Sequence, residues 1–291
     1  MSPRQSRTIV AAFATLGLSG LLAFTALQDS PKEATQLSQI HKAFVQMAGN
    51  PQDALPTKSK VWPVHDMKRP QPTMVEPGMT GTASSPGTAP SDATVLLGPG
   101  TGMGAWNHDR WTVGADGVMQ VKAGTGDVKS KDSFGDCQLH IEWMIPADRD
   151  CNGQGGCNSG VFFLDKYEVQ ILGSNPNQTY PDGQAGAMYA QYPPLVNPCR
   201  PNGEWNEYDI IFTSPRFNED GSLKSPGTAT VIFNGVVVQN HSTFMGVTSH
   251  GSKATYTKHS PEGQIRLQDH GDPISFANIW VRPLQPRTLA W

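Results

Sequence analysis

From Ala93 to Leu284 the chain is a succession of short β-branched and aromatic runs, each soon cut off by Gly, Asn, Asp or Pro. No stretch in this region sustains the period of an amphipathic helix, so the pattern confines it to an all-β architecture. The runs are Val95–Leu97, Trp111–Val113, Val118–Val121, Cys137–Met144, Gly160–Leu164, Tyr167–Leu172, Glu204–Thr213, Thr228–Phe233, Val236–Asn240, Gln264–Gln268 and Phe276–Leu284. Asn234-Gly235 sits between two of them and predicts a type I′ hairpin, because both central positions of that turn need positive φ. Many short strands without an internal repeat point to a two-sheet antiparallel sandwich of jelly-roll type rather than a propeller.

Three of these runs alternate strictly between apolar and polar residues. Leu139, Ile141 and Trp143 oppose Gln138, His140 and Glu142; Val169 and Ile171 oppose Glu168 and Gln170; Ile265 and Leu267 oppose Arg266, Gln268 and His270. Successive side chains of a strand point to opposite faces, so each run presents one polar face. If the three strands share a sheet, His140, Glu142, Glu168, Gln170, Arg266, Gln268 and His270 line one cleft. The plainer explanation is that these are solvated outer faces of antiparallel sheets.

A charged fraction of 16% and a formal net charge of -3 over 291 residues give no basic surface for a nucleic acid. A small or uncharged substrate suits this balance better. Arg4 and Arg7 precede an apolar run from Ile9 to about Leu27, which reads as an export signal. No clean A-x-A site follows, which leaves an uncleaved membrane anchor as the alternative. Export implies a periplasmic or extracellular protein. The expected organisation is therefore a signal or anchor over 1–27, a helix and linker over 28–92, and a jelly-roll domain over 93–291. Leu37, Ile40, Phe44 and Met47 recur at helical spacing within Glu33–Met47, whereas the Pro-, Gly-, Ser- and Thr-rich stretch after Pro51 reads as a linker or as an arm laid on the domain.

Cys137, Cys151, Cys157 and Cys199 are an even set, which favours disulfides in an exported protein. Cys151 and Cys157 bracket a flexible Asn-Gly-Gln-Gly-Gly loop and can pair locally, or each can reach Cys137 or Cys199; a buried free thiol pair is the remaining option. No C-x-x-C spacing suggests structural zinc. The strand-poor stretches Gly173–Gly203 and Gly246–Glu262 are long enough to expect a function, and would rim a cleft. The acidic turn Asn218-Glu-Asp-Gly221 fits a hairpin better than a calcium loop.

Read in order, Asn158-Ser159-Gly160-Val161, Tyr167-Glu168-Val169-Gln170-Ile171, Asp182-Gly183-Gln184-x-Gly186-Ala187-Met188-Tyr189, Gly203-Glu204-Trp205-Asn206, Asn234-Gly235-Val236 and Gly263-x-Ile265-x-Leu267-Gln268-Asp269-His270-Gly271, ending in Phe276-x-Asn278-Ile279, resemble the 3-keto-disaccharide hydrolase family. The resemblance spans about Ala93 to Leu284. It implies a concanavalin-like jelly roll, similar in shape to glycoside hydrolase family 16, acting on glycosides whose ring carries a ketone at C3. Two departures stand out. Ala277 replaces an Arg common before the Asn-Ile of the last strand, and Leu96-Leu-Gly98 replaces a Phe-Asp-Gly.

A C3 ketone acidifies the hydrogen at C2, so the group at C1 can leave by elimination and water can then add. That route asks for a base near C2, an acid for the departing oxygen and an electrophile for the enolate. The residue types on the polar strand faces supply candidates. Glu142, Glu168 and His270 are the expected catalytic groups, and Arg266 can stabilise the enolate. His140, Asn158, Ser159, Gln170, Tyr189, Trp205 and Gln268 are the expected sugar contacts, with Gln184 at the rim. A divalent cation held by carboxylates and His would polarise the ketone further. Each residue has a structural counterpart role: an ion-paired strand carboxylate for the acids, a turn for Asn158-Ser159, core for Trp205. Ordinary two-carboxylate hydrolysis is disfavoured, because Glu168-Val-Gln170 lacks the E-x-D-x-x-E strand of family 16. A non-catalytic carbohydrate-binding or cell-envelope module is the competing reading, since one fold serves many functions.

Overall fold

The computed structural model describes residues 65–68, 71, 73–74, 89 and 93–284. The export run, the Glu33–Met47 helix and most of the 51–92 stretch lie outside these residues. In chain order the strands are β1 (Thr73–Met74), β2 (Thr94–Leu97), β3 (Thr112–Val113), β4 (Met119–Gln120), β5 (Val128–Phe134), β6 (Cys137–Met144), β7 (Asn158–Phe163) and β8 (Tyr167–Leu172). They continue with β9 (Val196–Asn197), β10 (Trp205–Thr213), β11 (Arg216–Phe217), β12 (Leu223–Ser225), β13 (Thr228–Phe233), β14 (Val236–Thr243), β15 (Gly263–Leu267) and β16 (Ser275–Pro283). The helical element among the described residues is one 3-10 turn, Pro181–Gly183.

Two antiparallel sheets carry the fold. The larger has eight strands in the order β14-β13-β10-β6-β16-β4-β3, with β2 also on β16; the smaller has four, β5-β15-β7-β8. Their apolar faces meet in one core, in which Phe163 of β7 stacks on Phe212 of β10 at 4.5 Å and Trp143 of β6 packs on Tyr208 and Phe233. Tyr208 reaches across the sandwich, its hydroxyl donating to the Gln170 carbonyl at 2.8 Å. Burying an aromatic side chain of this kind contributes roughly 1.5–3 kcal/mol. The result is a concanavalin-like jelly-roll sandwich.

The Asn234-Gly235 hairpin is present, with φ of 48° and 79°, and Asn218–Gly221 forms the β11–β12 turn. The alternation within β5 is broken by Lys131 and Asp132, both exposed, which is why Val128–Phe134 does not stand out among the strand-like runs. Cys151 and Cys157 are bonded, while Cys137 and Cys199 are buried free thiols. Ahead of the jelly roll, β1 pairs in parallel with β9, Thr73 opposite Val196 and Met74 opposite Asn197.

The sheet assignment corrects one expectation. β6 belongs to the larger sheet, whereas β8 and β15 belong to the smaller. Because Leu139, Ile141, Val169, Ile171, Ile265 and Leu267 all point into the shared core, the polar residues alternating with them emerge on opposite sides of the sandwich. His140 and Glu142 therefore do not share a cleft with Glu168, Gln170, Arg266, Gln268 and His270.

Candidate active site

On the outer face of the smaller sheet is an open pocket of about 270 Å3, lined by Asn158, Phe162, Glu168, Gln170, Tyr189, Thr248, His250, Arg266, Gln268 and His270. Strand pairing builds its floor: Phe162 lies opposite Glu168, Gly160 opposite Gln170, and Arg266 opposite Phe162 on the other side of β7. The two strand-poor loops supply the rim, Tyr189 from the first and Thr248 and His250 from the second.

Glu168 is the pivotal group. It is 4% exposed, and burial pushes its carboxyl up to about 8, with Arg266 pulling against the rise and Asp127 adding to it. At neutral pH this acid keeps its proton. The position depends on Gly160, where an added Cβ would stand 2.4 Å from Glu168 Oε1 and 3.0 Å from the Phe162 ring. A glycine inside a strand marks such a close approach. With its amide nitrogen turned towards acceptors, Gln170 donates to Glu168 Oε1 and to the Ser159 carbonyl, both at 3.0 Å.

Arg266 does not pair with Glu168. Its guanidinium lies 3.4 Å over the Phe162 ring, Nη1 bonds Asp127, and Nε faces Asp165. Two carboxylates and an aromatic face thus fix a planar cation beside a protonated acid. Asp165 reaches this place from the β7–β8 turn, whose central residues Leu164 and Asp165 both have positive φ, 55° and 59°. His270 follows the end of β15, where the Asp269 carboxylate accepts from the Gly126 and Gly271 N–H groups and the Asp269 N–H donates to Asp127. At the rim, the Tyr189 hydroxyl contacts the Tyr180 hydroxyl at 2.8 Å and His250 Nδ1 at 2.9 Å. Burial raises both phenols above their ordinary range.

Besides His140, three expected contacts are placed elsewhere. Ser159 is fully buried and its hydroxyl donates to the Gln268 carbonyl; its odd place in the strand turns it away from the pocket. Gln184 is 2% exposed and holds the Asn177 carbonyl. Trp205 starts β10 and alternates with inward Asn206 and Tyr208, so it belongs to the outer face of the larger sheet. Conversely, Phe162, Thr248, His250, Asp127 and Asp165 were not evident from the sequence. Phe162 alone carried a signal, because it shares its strand parity with Asn158 and Gly160.

The other polar face is a different chemical object. His140 Nδ1 lies 3.0 Å from Asp209 and Nε2 3.5 Å from Glu142, and Trp280 stacks on the imidazole at 5.2 Å. Burial alone would lower the imidazole, but the hydrogen bonds and charges of Asp209 and Glu142 outweigh it and push it up to about 9. Burial would raise Glu142; hydrogen bonds from His140 and Asn278 and the charges of His140 and Arg200 hold it below the usual carboxylate range. Ala277 stands opposite Glu142, and the positive charges acting on Glu142 are those of His140 and Arg200. Ligand atoms of His140, Glu142 and Glu207 also lie within 4.8 Å of one another, a spacing that fits a divalent ion after small side-chain movement. Thus the residues that best suit the expected metal are on this face and not in the Glu168 pocket. A cavity of similar size, about 280 Å3, between Phe134 and Leu284 holds Asp136 and Arg216, which are paired with each other at 2.9 Å.

Comparison with known proteins agrees with this architecture. No curated protein matches the chain. A solved structure from Parabacteroides distasonis, provisionally assigned as a glycosyl hydrolase, is 42% identical over 80% of this chain and 96% of its own, with a TM-score of 0.65. A second such protein from the same organism is 20% identical over 66% of this chain and 100% of its own, with a TM-score of 0.49. Eighty per cent of 291 residues is about 233, and only 200 remain from residue 92 onward, so the first match extends at least about 33 residues ahead of that point. The model of the 3-keto-alpha-glucoside-1,2-lyase-like domain matches residues 92–282, and the chain belongs to that family.

Proposed function

We propose that the Glu168 pocket cleaves the glycosidic bond of 3-keto-glycosides by elimination and hydration. The chain is a carbohydrate-active domain of the glycosyl hydrolase and lyase kind, and the observation that carries the finer reading is a buried carboxylic acid, protonated at neutral pH, beside a fixed guanidinium and an imidazole. In this reading His270 removes the C2 proton. The C2–H electrons form the C2=C3 bond of an enolate; when the C3 carbonyl re-forms, that pair makes the C1=C2 bond, the C1–O bond breaks, and its electrons leave with the oxygen, which takes a proton from Glu168. Arg266 faces the enolate oxygen that develops from the ketone. Water then adds across C1=C2 and gives the free 3-keto sugar. Gln170, Gln268 and Asn158 bind ring hydroxyls.

Turnover in D2O tests this reading. Elimination and hydration place deuterium at C2 of the released 3-keto sugar, and the unoxidised parent glycoside is inert. Product with hydrogen retained at C2, or equal cleavage of the parent, would replace elimination by direct hydrolysis. Sugar binding without turnover would favour the binding-module alternative.

Export belongs to the same proposal. Arg4, Arg7 and the apolar run from Ile9 support it, as does the Cys151–Cys157 bond, because disulfides persist in oxidising compartments. The enzyme would then meet its carbohydrate in the periplasm or outside the cell, free or tethered by that N-terminal run.

A further inference from the structure

The matched family domain begins at residue 92, yet the pocket rim includes a contact from well ahead of it. The His65 imidazole packs on Tyr180 with ring centroids 3.8 Å apart, and lies 4.9 Å from the His250 ring and 5.9 Å from that of Tyr189. His65 Nδ1 is 3.9 Å from the buried carboxylate of Asp182. Two further contacts hold the arm on the loop that carries Tyr180 and Tyr189: Gln71 Nε2 donates to the Thr179 carbonyl at 2.9 Å, and β1 pairs with β9.

We infer that the arm described at residues 65–68, 71 and 73–74 is part of the substrate site, and that His65 is a positioning residue for the group leaving from C1. This rests on the elimination reading of the Glu168 pocket. The pocket floor holds the acid, the guanidinium and the His270 imidazole, so the reacting keto ring belongs there. The rim is a cluster of rings with polar edges, His65, Tyr180, Tyr189 and His250, and such a cluster suits the C–H face and hydroxyls of a second sugar. His65 is wedged against the other three rings and sets where Tyr189 and His250 stand. Because the arm backs only the rim, its removal should discriminate between leaving groups and leave the floor in place.

The test compares 3-keto-trehalose with methyl 3-keto-α-glucoside in the full chain. For His65→Ala the ratio of kcat/KM, disaccharide over methyl glycoside, should fall about tenfold through KM, and His65→Phe, which keeps a ring in place, should restore most of it. Equal losses on the two substrates, or none, would overturn the assignment. A readout independent of turnover is the histidine-selective NMR spectrum. The His65 ring signals should be displaced by the Tyr180 ring current and move to the free-peptide position in Tyr180→Ala. Free-peptide shifts in the unaltered protein would overturn the docking of the arm, whereas displaced shifts in a protein that cleaves neither sugar would leave the docking standing and count against the elimination reading.

Discussion

Glu168 and Glu142 start from the same local pattern, an acid on the polar side of an apolar strand, and end in opposite states. Glu168 faces a glycine strand position, an aromatic ring and a guanidinium already taken by two aspartates, so burial dominates and the acid holds its proton. Glu142 faces an imidazole and an amide donor, so it is ionised and paired. Periodicity fixes only which side of a strand a carboxylate takes; residues distant in the chain decide what kind of acid it becomes.

The largest separation between the two faces should come from activity. Glu168→Gln is expected to lower kcat on a 3-keto-glycoside by roughly 10²–10⁴, the range for losing a proton donor, measured by product release. Gly160→Ala should approach that loss, because its methyl would occupy the place of the Glu168 carboxyl; a fully active Gly160→Ala enzyme would show that the carboxyl has room to act from elsewhere.

Stability should separate the faces in the reverse sense. His140→Ala leaves Glu142 and Asp209 without their shared cation and should cost about 3 kcal/mol in urea unfolding, in line with breaking a largely buried ion pair. Glu168→Gln removes no such partner and should be neutral or stabilising. The pH dependence sharpens this contrast. The folded Glu168 carboxyl keeps its proton up to about 8, against an ordinary value of 4.5, so the folded state binds the extra proton between those values and stability falls as pH rises across them. The folded imidazole of His140 titrates at about 9 against 6.5; its contribution is complete below 6.5 and lost as pH rises through 9. Glu168→Gln should flatten the first slope and His140→Gln the second, in denaturation series across pH.

Much of the fold was legible because it rests on local chemistry: alternation in β6, β8 and β15, and a type I′ turn at Asn234-Gly235. The site was legible only in pieces. Glu168, Gln170, Arg266, Gln268 and His270 do share a face, but nothing local says which strands join which sheet, so alternation alone does not separate His140 and Glu142 from them. Thr248 and His250 lie on a loop without periodicity, and Asp127 and Asp165 are charged turn residues like many others. Ser159 and Trp205 lie off the pocket because strand parity, and not polarity or aromatic character, sets the face a side chain takes.

Smaller effects complete the comparison. Reducing the Cys151–Cys157 bond, which closes a short loop beside Asn158, should cost about 2 kcal/mol by the loop-entropy relation, read as a lowered unfolding midpoint under dithiothreitol. Trp205→Ala, on the larger sheet's outer face, should change KM for a 3-keto-glycoside by less than about twofold, since this half-buried side chain lies away from the pocket.

The most direct test sets Glu168→Gln beside Glu142→Gln on one 3-keto-disaccharide, with folding checked by unfolding midpoint. Glu168→Gln should retain its midpoint and lose turnover, while Glu142→Gln should lose stability and, below its midpoint, retain turnover. Loss of turnover in folded Glu142→Gln, with Glu168→Gln still active, would move the chemistry to the other face of the sandwich.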